Sequence, residues 1–341
     1  MREVAGDRNV KAMTTYRATL LSKKGDPTVL VPVELPLEAP SRGELRVRVV
    51  ATGVGSTDVT MRRGMYPYAP KLPFVPGYES IGTVDAIGDG VTGFAVGDRV
   101  CALLVHGGYA EYVTRAATAW VKVPEGLDAA EVVALVLNYM TAYQAIHRVA
   151  KLASGATALV TAAAGGCGQA FVQLLRAHGV RVIAAASPRS HAMLRELGAE
   201  PIDRDTPIAQ VHALVPAGVD AAFDGVGGAT LRACTSATRK GGTVVWYGFM
   251  GATTLPAVLR SYAHLFATAR LRGRRTAFYG ITARYRKDPA PFREDLPALF
   301  ELLRSRAIRP RIALRLPLAD AREANVRIEA GGVDGKIVLV A

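Results

Sequence analysis

The glycines between residues 163 and 168 have the spacing of a loop that binds a diphosphate. Gly165 and Gly168 occupy the second and third glycine positions of the Gly-x-Gly-x-x-Gly fingerprint, and Ala163 stands at the first. An apolar strand precedes the loop and an apolar helix follows it, so backbone N–H groups and the positive end of the helix dipole would face the phosphates. The residues predicted to contact the diphosphate are Ala164, Gly165, Gly166, Cys167 and Gly168. Glycines that serve only to pack the helix against the strand are the alternative.

The residues after the next strand indicate which dinucleotide the loop would bind. NAD sites usually place an acidic side chain there to accept from the ribose 2′-hydroxyl, but this chain has Ser187 and Arg189. A hydroxyl and a guanidinium attract a 2′-phosphate, which an acidic side chain would repel. We therefore predict NADPH as the cofactor, with Arg204, after the third strand, as a candidate second cation. An ordinary surface arginine at position 189 is the alternative.

Two patterns of secondary structure surround these residues. Residues 16–135 contain short alternating strands separated by glycines, of which residues 45–49 are the clearest, and this pattern favours a barrel or sandwich. From about residue 136, apolar strands alternate with helices, as in residues 158–161 before the glycine loop and residues 181–186 after it. Repeated strand–helix units form a parallel sheet that is covered on both faces. The predicted fold class is therefore α/β, with a doubly wound parallel sheet and a second, β-rich domain.

Length, charge and cysteine usage limit the classes of protein. The chain has 341 residues, half of them hydrophobic, and about 150 residues per domain indicates two domains. Its formal charge is +13, but the absence of any run of five like charges favours a solvated basic surface over a nucleic-acid site. The three cysteines are isolated from one another, which indicates reduced thiols and a cytoplasmic location.

Three further segments bear on membranes and surfaces. Residues 1–13 lack the apolar stretch of a signal peptide and are predicted to be a tail. The sequence has no uncharged apolar stretch of 18 residues, so no transmembrane helix is predicted. Residues 255–275 are basic and apolar. They would flank the substrate mouth or touch an anionic membrane surface, unless they form a packed helix with a solvated basic face.

Several motifs together resemble the medium-chain dehydrogenase/reductase superfamily, in particular its zinc-independent, quinone oxidoreductase-like branch. Besides the glycine loop, the resemblance rests on Gly53-Val54 with Asp58, Arg63 to Pro67, Pro76 to Glu79, Val96 to Val100, Gly107 to Glu111 and Thr141 to Tyr143. It implies a GroES-like catalytic domain made of residues 14–135 and 285–341 and a Rossmann domain over residues 136–284. The nicotinamide would lie in the cleft between these domains.

The resemblance also implies catalysis without a metal. Zinc-dependent relatives have histidine where this chain has Tyr78, a cysteine near Gly55, and a lobe with four closely spaced cysteines. Because the six histidines and three cysteines are scattered, no metal site is predicted. The implied reaction is hydride delivery to a conjugated quinone, enone or enoyl thioester, whose enolate-like oxygen would be stabilised by hydrogen bonds in a dry cleft.

The catalytic and substrate-binding candidates lie in the first domain and at the domain boundary. Enoyl-thioester reductases of the superfamily use a tyrosine in a Gly-x-Tyr motif that matches Tyr66, so Tyr66 is the candidate proton donor, with a packing role as the alternative. Many quinone reductase-like relatives have asparagine where this chain has Gly55. Asp58 matches the same motif and is interpreted as a capping or supporting residue. The predicted substrate-binding residues are Gly55, Tyr66, Asn138 and Tyr139.

The remaining predicted cofactor contacts lie at strand ends and at family positions. Ligands bind outside the carboxyl ends of the strands in a doubly wound sheet. The residues predicted at two such ends are Gly225, Val226, Tyr247, Gly248 and Phe249. Thr141 and Lys336 match family positions near the cofactor, with capping, packing or simple exposure as the alternatives. Residues 276–281 resemble the edge strand that pairs across a dimer axis in relatives, which implies a homodimer.

Three hypotheses about function follow. The first is an NADPH-dependent reductase of quinones or other α,β-unsaturated carbonyl compounds. The second is an enoyl-thioester reductase of a biosynthetic pathway. The third, from a different class, is a protein that binds NADPH with little turnover and uses its positive charge to hold nucleic acid or an anionic surface.

Overall fold

The fold is built around two large sheets. We describe a computed structural model of residues 14–251 and 254–341, and the predicted tail at residues 1–13 lies outside the described residues. The strands are β1 (Thr15–Leu21), β2 (Leu30–Pro36), β3 (Glu44–Val54), β4 (Glu79–Ile87), β5 (Arg99–Leu103), β6 (Tyr112–Ala116), β7 (Val121–Lys122), β8 (Thr157–Val160), β9 (Arg181–Ala186), β10 (Glu200–Asp203), β11 (Val219–Asp224), β12 (Thr238–Trp246), β13 (Arg275–Phe278), β14 (Ile312–Pro317) and β15 (Lys336–Val340).

Helices cover both faces of the parallel sheet and one side of the other domain. They comprise Ser56–Arg62, the helical segment Ala129–Ala150, Gly166–Ala177, His191–Glu196, Pro207–Leu214, Ala229–Ala237, Leu255–Ala263, Ala269–Leu271, Ile281–Lys287, Ala290–Arg304 and Ala321–Ala330. Wider helical turns, His264–Thr268, join Leu255–Ala263 to Ala269–Leu271. The predicted helix after the glycine loop is thus confirmed as Gly166–Ala177.

The first of the two large sheets has six parallel strands in the order β10-β9-β8-β11-β12-β13. The chain starts at β8 in the centre, moves outward to β10, then returns beside β8 and continues to β13. This reversal is the switch point of a doubly wound sheet, where ligands bind. Both faces are buried, since Ala158 and Val160 of β8 join one apolar cluster and Leu159 joins the other. The predicted doubly wound Rossmann sheet is confirmed.

The second sheet contains β14-β15-β3-β4-β5-β7, and β6 also pairs with β3. The C-terminal strand, β15, lies between β14 and β3, with Ile337 opposite Val54 and Val340 opposite Ala51. The apolar run 336–340 therefore returns to the sheet that the first part of the chain forms. Beside this sheet, β1 and β2 form a hairpin that was not predicted, and Thr19 N donates to Tyr109 O at 2.8 Å.

One long helical segment, Ala129–Ala150, joins the two sheets. Asp128 caps the start of this helix, since its side chain accepts from Glu131 N at 3.0 Å. The division at residue 136 falls inside the segment, and the exact domain boundaries remain a prediction. Among the described residues, only this segment has the length and hydropathy of a membrane span, and 83% of its most apolar window is buried inside the fold.

Candidate functional site

The glycine loop turns directly from β8 into the helix Gly166–Ala177. A Cβ on Gly168 would lie 2.2 Å from Ala162 O, so only glycine allows the helix to approach the strand this closely. Gly165 stands in extended backbone as the N-terminal cap, and no described side chain caps this helix end. A Cβ on Gly165 would meet only Ala162 O, 3.5 Å away. The backbone here is open to an approaching group, and the first amides of the helix point toward it.

Asn138 connects the glycine loop to the catalytic domain. Its amide lies so near Gly166 that a Cβ on the glycine would be 2.2 Å from Asn138 Nδ2. The same added Cβ would be 3.4 Å from Gly335 O, so the segment before β15 also touches the loop. Asn138 Oδ1 in turn accepts from Lys336 Nζ at 3.3 Å. Two predicted residues, Asn138 and Lys336, are therefore in direct contact beside the predicted phosphate loop.

Lys336 and Glu79 form a buried ion pair. The lysine side chain is 4% exposed and the glutamate side chain 1%, and Lys336 Nζ donates to Glu79 Oε1. Both charges have left water, so each depends on the other for stabilisation. Gly53 makes room for the pair, because a Cβ there would lie 2.0 Å from Glu79 Oε1. Glu79 Oε2 is buried and has no hydrogen-bond partner among the described residues.

Asp58 is a second buried carboxylate in the same region. Its oxygens accept from Gly55 N at 2.9 Å and from Gly77 N at 3.3 Å, so the residue caps the short helix Ser56–Arg62. Burial, together with the nearby charge of Glu79, raises the pKa of Asp58 from 3.8 to about 7. The capping interpretation of Asp58 agrees with these contacts. A Cβ on Gly55 would lie 3.9 Å from both Asp58 Oδ2 and Lys336 Nζ, so a larger side chain has room at position 55.

Three hydroxyl groups meet at the interface between the domains. Tyr66 OH lies 2.7 Å from Tyr78 OH and 2.7 Å from Thr282 Oγ1, and the latter two groups are also hydrogen-bonded to each other. Tyr66 and Tyr78 belong to the first domain, whereas Thr282 begins the helix after β13. Burial raises the pKa of Tyr66 and raises that of Tyr78 well above its ordinary value. We call these three residues the hydroxyl cluster.

The predicted strand-end segments lie side by side. Gly251 N donates to Val226 O at 2.8 Å, and Met250 N donates to Gly225 O. The ring of Tyr247 lies over Gly225, since a Cβ there would be 2.9 Å from Tyr247 Cζ. Phe249 instead packs against Trp246, with ring centroids 4.8 Å apart. Position 248 requires glycine, because a Cβ there would lie 2.6 Å from Gly225 O.

The predicted ribose residues lie at the end of β9 and carry exposed charge. Arg189 is 57% exposed, and its Nη2 lies 3.6 Å from Asp334 Oδ1. Ser187 is half-buried at the start of the same turn. Arg204 N donates to Ala186 O, but its guanidinium is 65% exposed and pairs with Asp205 at 3.8 Å. The contacts of Arg189 and Ser187 with a cofactor stay predictions, as does that of Arg204.

The structure adds several residues to the predicted site. Thr282 and Asp334 were missed because nothing in their local sequence marks them, and Glu79 belongs to a motif of the resemblance but was not predicted as a site residue. Tyr78 was noted only as the residue that replaces a zinc-binding histidine. Thr141 is buried, with 5% of its surface exposed, and lies three residues after Asn138. Tyr139 OH is buried and has no hydrogen-bond partner among the described residues. Cys167 is half-buried, and the desolvation of its thiol raises its pKa to about 12 and keeps it protonated.

The residues do not fit a zinc ion. In residues 14–251 and 254–341, no group of three or more His, Cys, Asp or Glu side chains is placed to hold a metal. The resemblance implies that zinc-dependent relatives have ligands at position 78 and near position 55, where this chain has Tyr78 and Gly55, and neither side chain is suited to Zn²⁺.

Two protein families match the chain. Residues 41–125 match the family described as "Alcohol dehydrogenase GroES-like domain", and residues 197–339 match the family described as "Zinc-binding dehydrogenase". The first match covers most of the second sheet, and the second runs from the parallel sheet into β15. The GroES-like domain that the resemblance implied is thus confirmed.

Individual relatives agree with these families. The human "Synaptic vesicle membrane protein VAT-1 homolog" is 35% identical over 69% of this chain and 62% of its own length, so the chain spans less than two thirds of that relative. A "Probable quinone oxidoreductase" of Schizosaccharomyces pombe is 33% identical over 94% of this chain and 95% of its own length.

The solved structures give the same result. A mycobacterial protein in complex with NADPH is 30% identical and superposes with a TM-score of 0.86 over 96% of this chain and 100% of that one. The human VAT-1 homolog-like protein is 28% identical, with a TM-score of 0.83 over 97% of this chain and 99% of its own. The chain therefore belongs to the medium-chain dehydrogenase/reductase superfamily, among its quinone oxidoreductase-like members.

Proposed function

We propose that the protein is an NADPH-dependent reductase of quinones or other α,β-unsaturated carbonyl compounds. A continuous line of contacts supports this proposal. From the glycine loop, contacts lead through Asn138 and Lys336 to Glu79. Tyr78 precedes Glu79 in the chain and is hydrogen-bonded to Tyr66. A phosphate-binding element is thereby held beside a hydroxyl donor, in the arrangement that hydride transfer followed by protonation requires.

The residues at the sheet edge fit the cofactor. The first amides of the helix Gly166–Ala177 would hold the diphosphate, and Ser187 with Arg189 would hold the 2′-phosphate. The paired strand-end segments at Gly225 and Gly248 would line the path between these points. NADPH, when bound, supplies a hydride to an electrophilic carbon. The relatives named as quinone oxidoreductases, and the NADPH-bound mycobacterial neighbour, support this assignment.

The hydroxyl cluster supplies the proton. The hydroxyl of Tyr66 is protonated at neutral pH, since burial raises its pKa above the ordinary value of 10, and it can donate a hydrogen bond to an enolate-like oxygen. Tyr78 and Thr282 lie within hydrogen-bonding distance of Tyr66 OH and orient it. Thr282 comes from the other domain, so the donor takes this position only when the two domains are packed together.

An enoyl thioester is the second candidate substrate, and position 55 favours it. Gly55 lacks the amide of the quinone-reductase asparagine, whereas the tyrosine of the enoyl-thioester reductases is present as Tyr66. Gly55 has extended backbone, φ −147° and ψ 171°, which asparagine also adopts. If quinone reduction needs that amide, Gly55→Asn should raise the rate with a quinone and leave the rate with an enoyl thioester unchanged. Gly55→Ala is the matched control for backbone effects.

The proposed function is tested by binding and turnover together. We expect tighter fluorescence-detected binding of NADPH than of NADH, and NADPH oxidation with at least one member of a panel of quinones, enones and enoyl thioesters. Absence of NADPH binding would overturn the proposal. Binding without turnover on any member, combined with steeply salt-dependent binding of RNA, would instead support a cofactor-binding protein of another class.

The quaternary structure and location are further parts of the proposal. β13 is the outer strand of the parallel sheet, with β12 as its one partner among the described strands. An edge strand of this kind can pair with the same strand of a second copy. We propose a homodimer in the cytoplasm, and light scattering coupled to gel filtration should give about twice the mass of 36.1 kDa.

A further inference from the structure

The segment 331–335, which we call the tail loop, contacts both ends of the proposed cofactor site. It connects the helix Ala321–Ala330 to β15, and Lys336 follows it directly. At one end of the loop, Gly335 O lies near Gly166 of the phosphate loop. The preceding residue, Asp334, lies beside Arg189 at the ribose position. No sequence motif pointed to this loop, and the proposed function gives it no role.

Two donors converge on the carboxylate of Asp334. Ser190 Oγ donates to it, at 3.2 Å from Oδ1 and 3.1 Å from Oδ2, and Arg189 Nη2 lies 3.6 Å from Oδ1. Ser190 is 1% exposed, so water cannot replace Asp334 as the hydrogen-bond partner of its hydroxyl. Asp334 is the only carboxylate among the described residues that forms an ion pair with Arg189. These donors thus already hold a negative group.

The backbone of the tail loop is shaped to admit the arginine. Gly332 has φ +77°, which disfavours any other residue, and a Cβ there would lie 2.9 Å from Arg189 Nη1. The guanidinium therefore lies against the glycine, with Asp334 two residues further along. A hydroxyl and an arginine are the groups that recognise the 2′-phosphate of NADPH. The structure places a carboxylate where that phosphate would be recognised.

We propose that Asp334, held in place by Ser190, competes with the 2′-phosphate of NADPH for Arg189. This inference rests on the proposed function, since it presumes that the cofactor is NADPH. Binding of NADPH must displace the carboxylate, whereas NADH, which has no 2′-phosphate, leaves the pair intact. Asp334 therefore limits the preference for NADPH.

The test is a double-mutant cycle on cofactor affinity. Asp334→Asn should lower the Kd for NADPH about three- to fivefold, the size expected for release of an exposed ion pair, and leave the Kd for NADH unchanged. The gain should be much smaller in the Arg189→Ala background, because the competing partner is then gone. Asp89→Asn, an exposed carboxylate in the turn after β4, is the control for net charge and should change neither Kd.

A smaller probe locates the effect. Adenosine 2′,5′-bisphosphate carries the 2′-phosphate but lacks the nicotinamide end near Lys336, and it should show the same gain in Asp334→Asn. Asp334→Ser removes the same charge while keeping an acceptor for Ser190, so it serves if the asparagine variant does not fold. Thermal unfolding establishes that each variant is folded before its Kd is measured.

The outcomes separate this inference from the proposed function. If wild-type protein does not bind NADPH, the proposed function fails. If wild-type protein prefers NADPH but both Asp334 variants bind it with unchanged or weaker affinity, only the competition fails, and Asp334 is then a structural clamp. An equal gain for NADH would also overturn the competition, because it would show an effect that does not involve the 2′-phosphate.

Discussion

The two ends of the proposed cofactor site are built on different physical principles. At the reaction end, Lys336, Glu79, Tyr78 and Thr282 are buried, Tyr66 is half-buried, and hydrogen bonds join groups from distant parts of the chain. At the ribose end, Arg189 and Arg204 are more than half exposed, and each has one carboxylate near it. A buried polar group is costly to leave unpaired, whereas an exposed ion pair contributes little. The reaction end should therefore tolerate change poorly, and the ribose end should be easy to adjust.

The largest effect should follow from breaking the buried ion pair. Lys336→Met leaves Glu79 buried without its partner, and we expect a loss of about 3 to 5 kcal/mol in the free energy of unfolding. Urea denaturation measures this loss. The double variant Lys336→Met with Glu79→Gln should lose less than the single variant. If the single variant is as stable as wild type, the claim that Glu79 depends on Lys336 for its stabilisation is wrong.

Asp58 should make stability depend on pH. In the unfolded chain its carboxyl loses its proton near pH 3.8, but in the folded protein it keeps the proton up to about pH 7. Its contribution to stability is therefore fully present below pH 3.8 and is lost as the pH rises through 7. We expect a decrease of about 2 to 4 kcal/mol across this range, which Asp58→Asn should largely abolish. Urea denaturation at pH 5 and pH 8 compares the two proteins, and an equal pH dependence in both would contradict the assignment.

The third effect concerns catalysis at the reaction end. Tyr66→Phe removes the proposed donor, and we expect turnover to fall about 100-fold while the Kd for NADPH stays within twofold of wild type. Tyr68→Phe is the matched control, because Tyr68 packs against Tyr66 with ring centroids 5.7 Å apart but lies outside the hydroxyl cluster. Steady-state kinetics and fluorescence titration provide the two measurements. Equal losses in both variants would indicate packing and not proton donation.

The smallest effect should come from the exposed end. Arg189→Ala should weaken NADPH binding about tenfold and leave NADH binding unchanged, because only the 2′-phosphate needs the guanidinium. The difference should shrink as salt is added, as expected for exposed charges. Arg195→Ala, an exposed arginine in the next helix, controls for the loss of positive charge. An equal decrease in affinity for NADPH and NADH would contradict the assignment of Arg189 to the 2′-phosphate.

The parts of the site that could be predicted are those encoded by neighbouring residues. The loop around Gly165 was recognised because its glycines, the strand before it and the helix after it are contiguous in sequence. The parallel, doubly wound character of the sheet followed from the same local repeat, but the order of its strands did not. Tyr66 was found through the family resemblance, although its partners were not.

The parts that could not be predicted depend on contacts between distant residues. Thr282 reaches Tyr66 across 216 positions of sequence, and Ser190 reaches Asp334 across 144. Such pairs are fixed by how the domains pack, and a single threonine or aspartate carries no local sign of its partner. Glu79 belongs to the motif Pro76 to Glu79, but its pairing with Lys336 requires β15 to lie beside β3.

The position of β15 has a consequence for biosynthesis. All six strands of the parallel sheet lie between residues 157 and 278, so that sheet can be completed as soon as this stretch has left the ribosome. The other sheet must wait, because its internal strand β15 is translated some 280 residues after β3. During that interval the edge of β3 is exposed to other nascent chains. Chaperones that shield unpaired strands during translation should therefore engage the N-terminal third of the polypeptide.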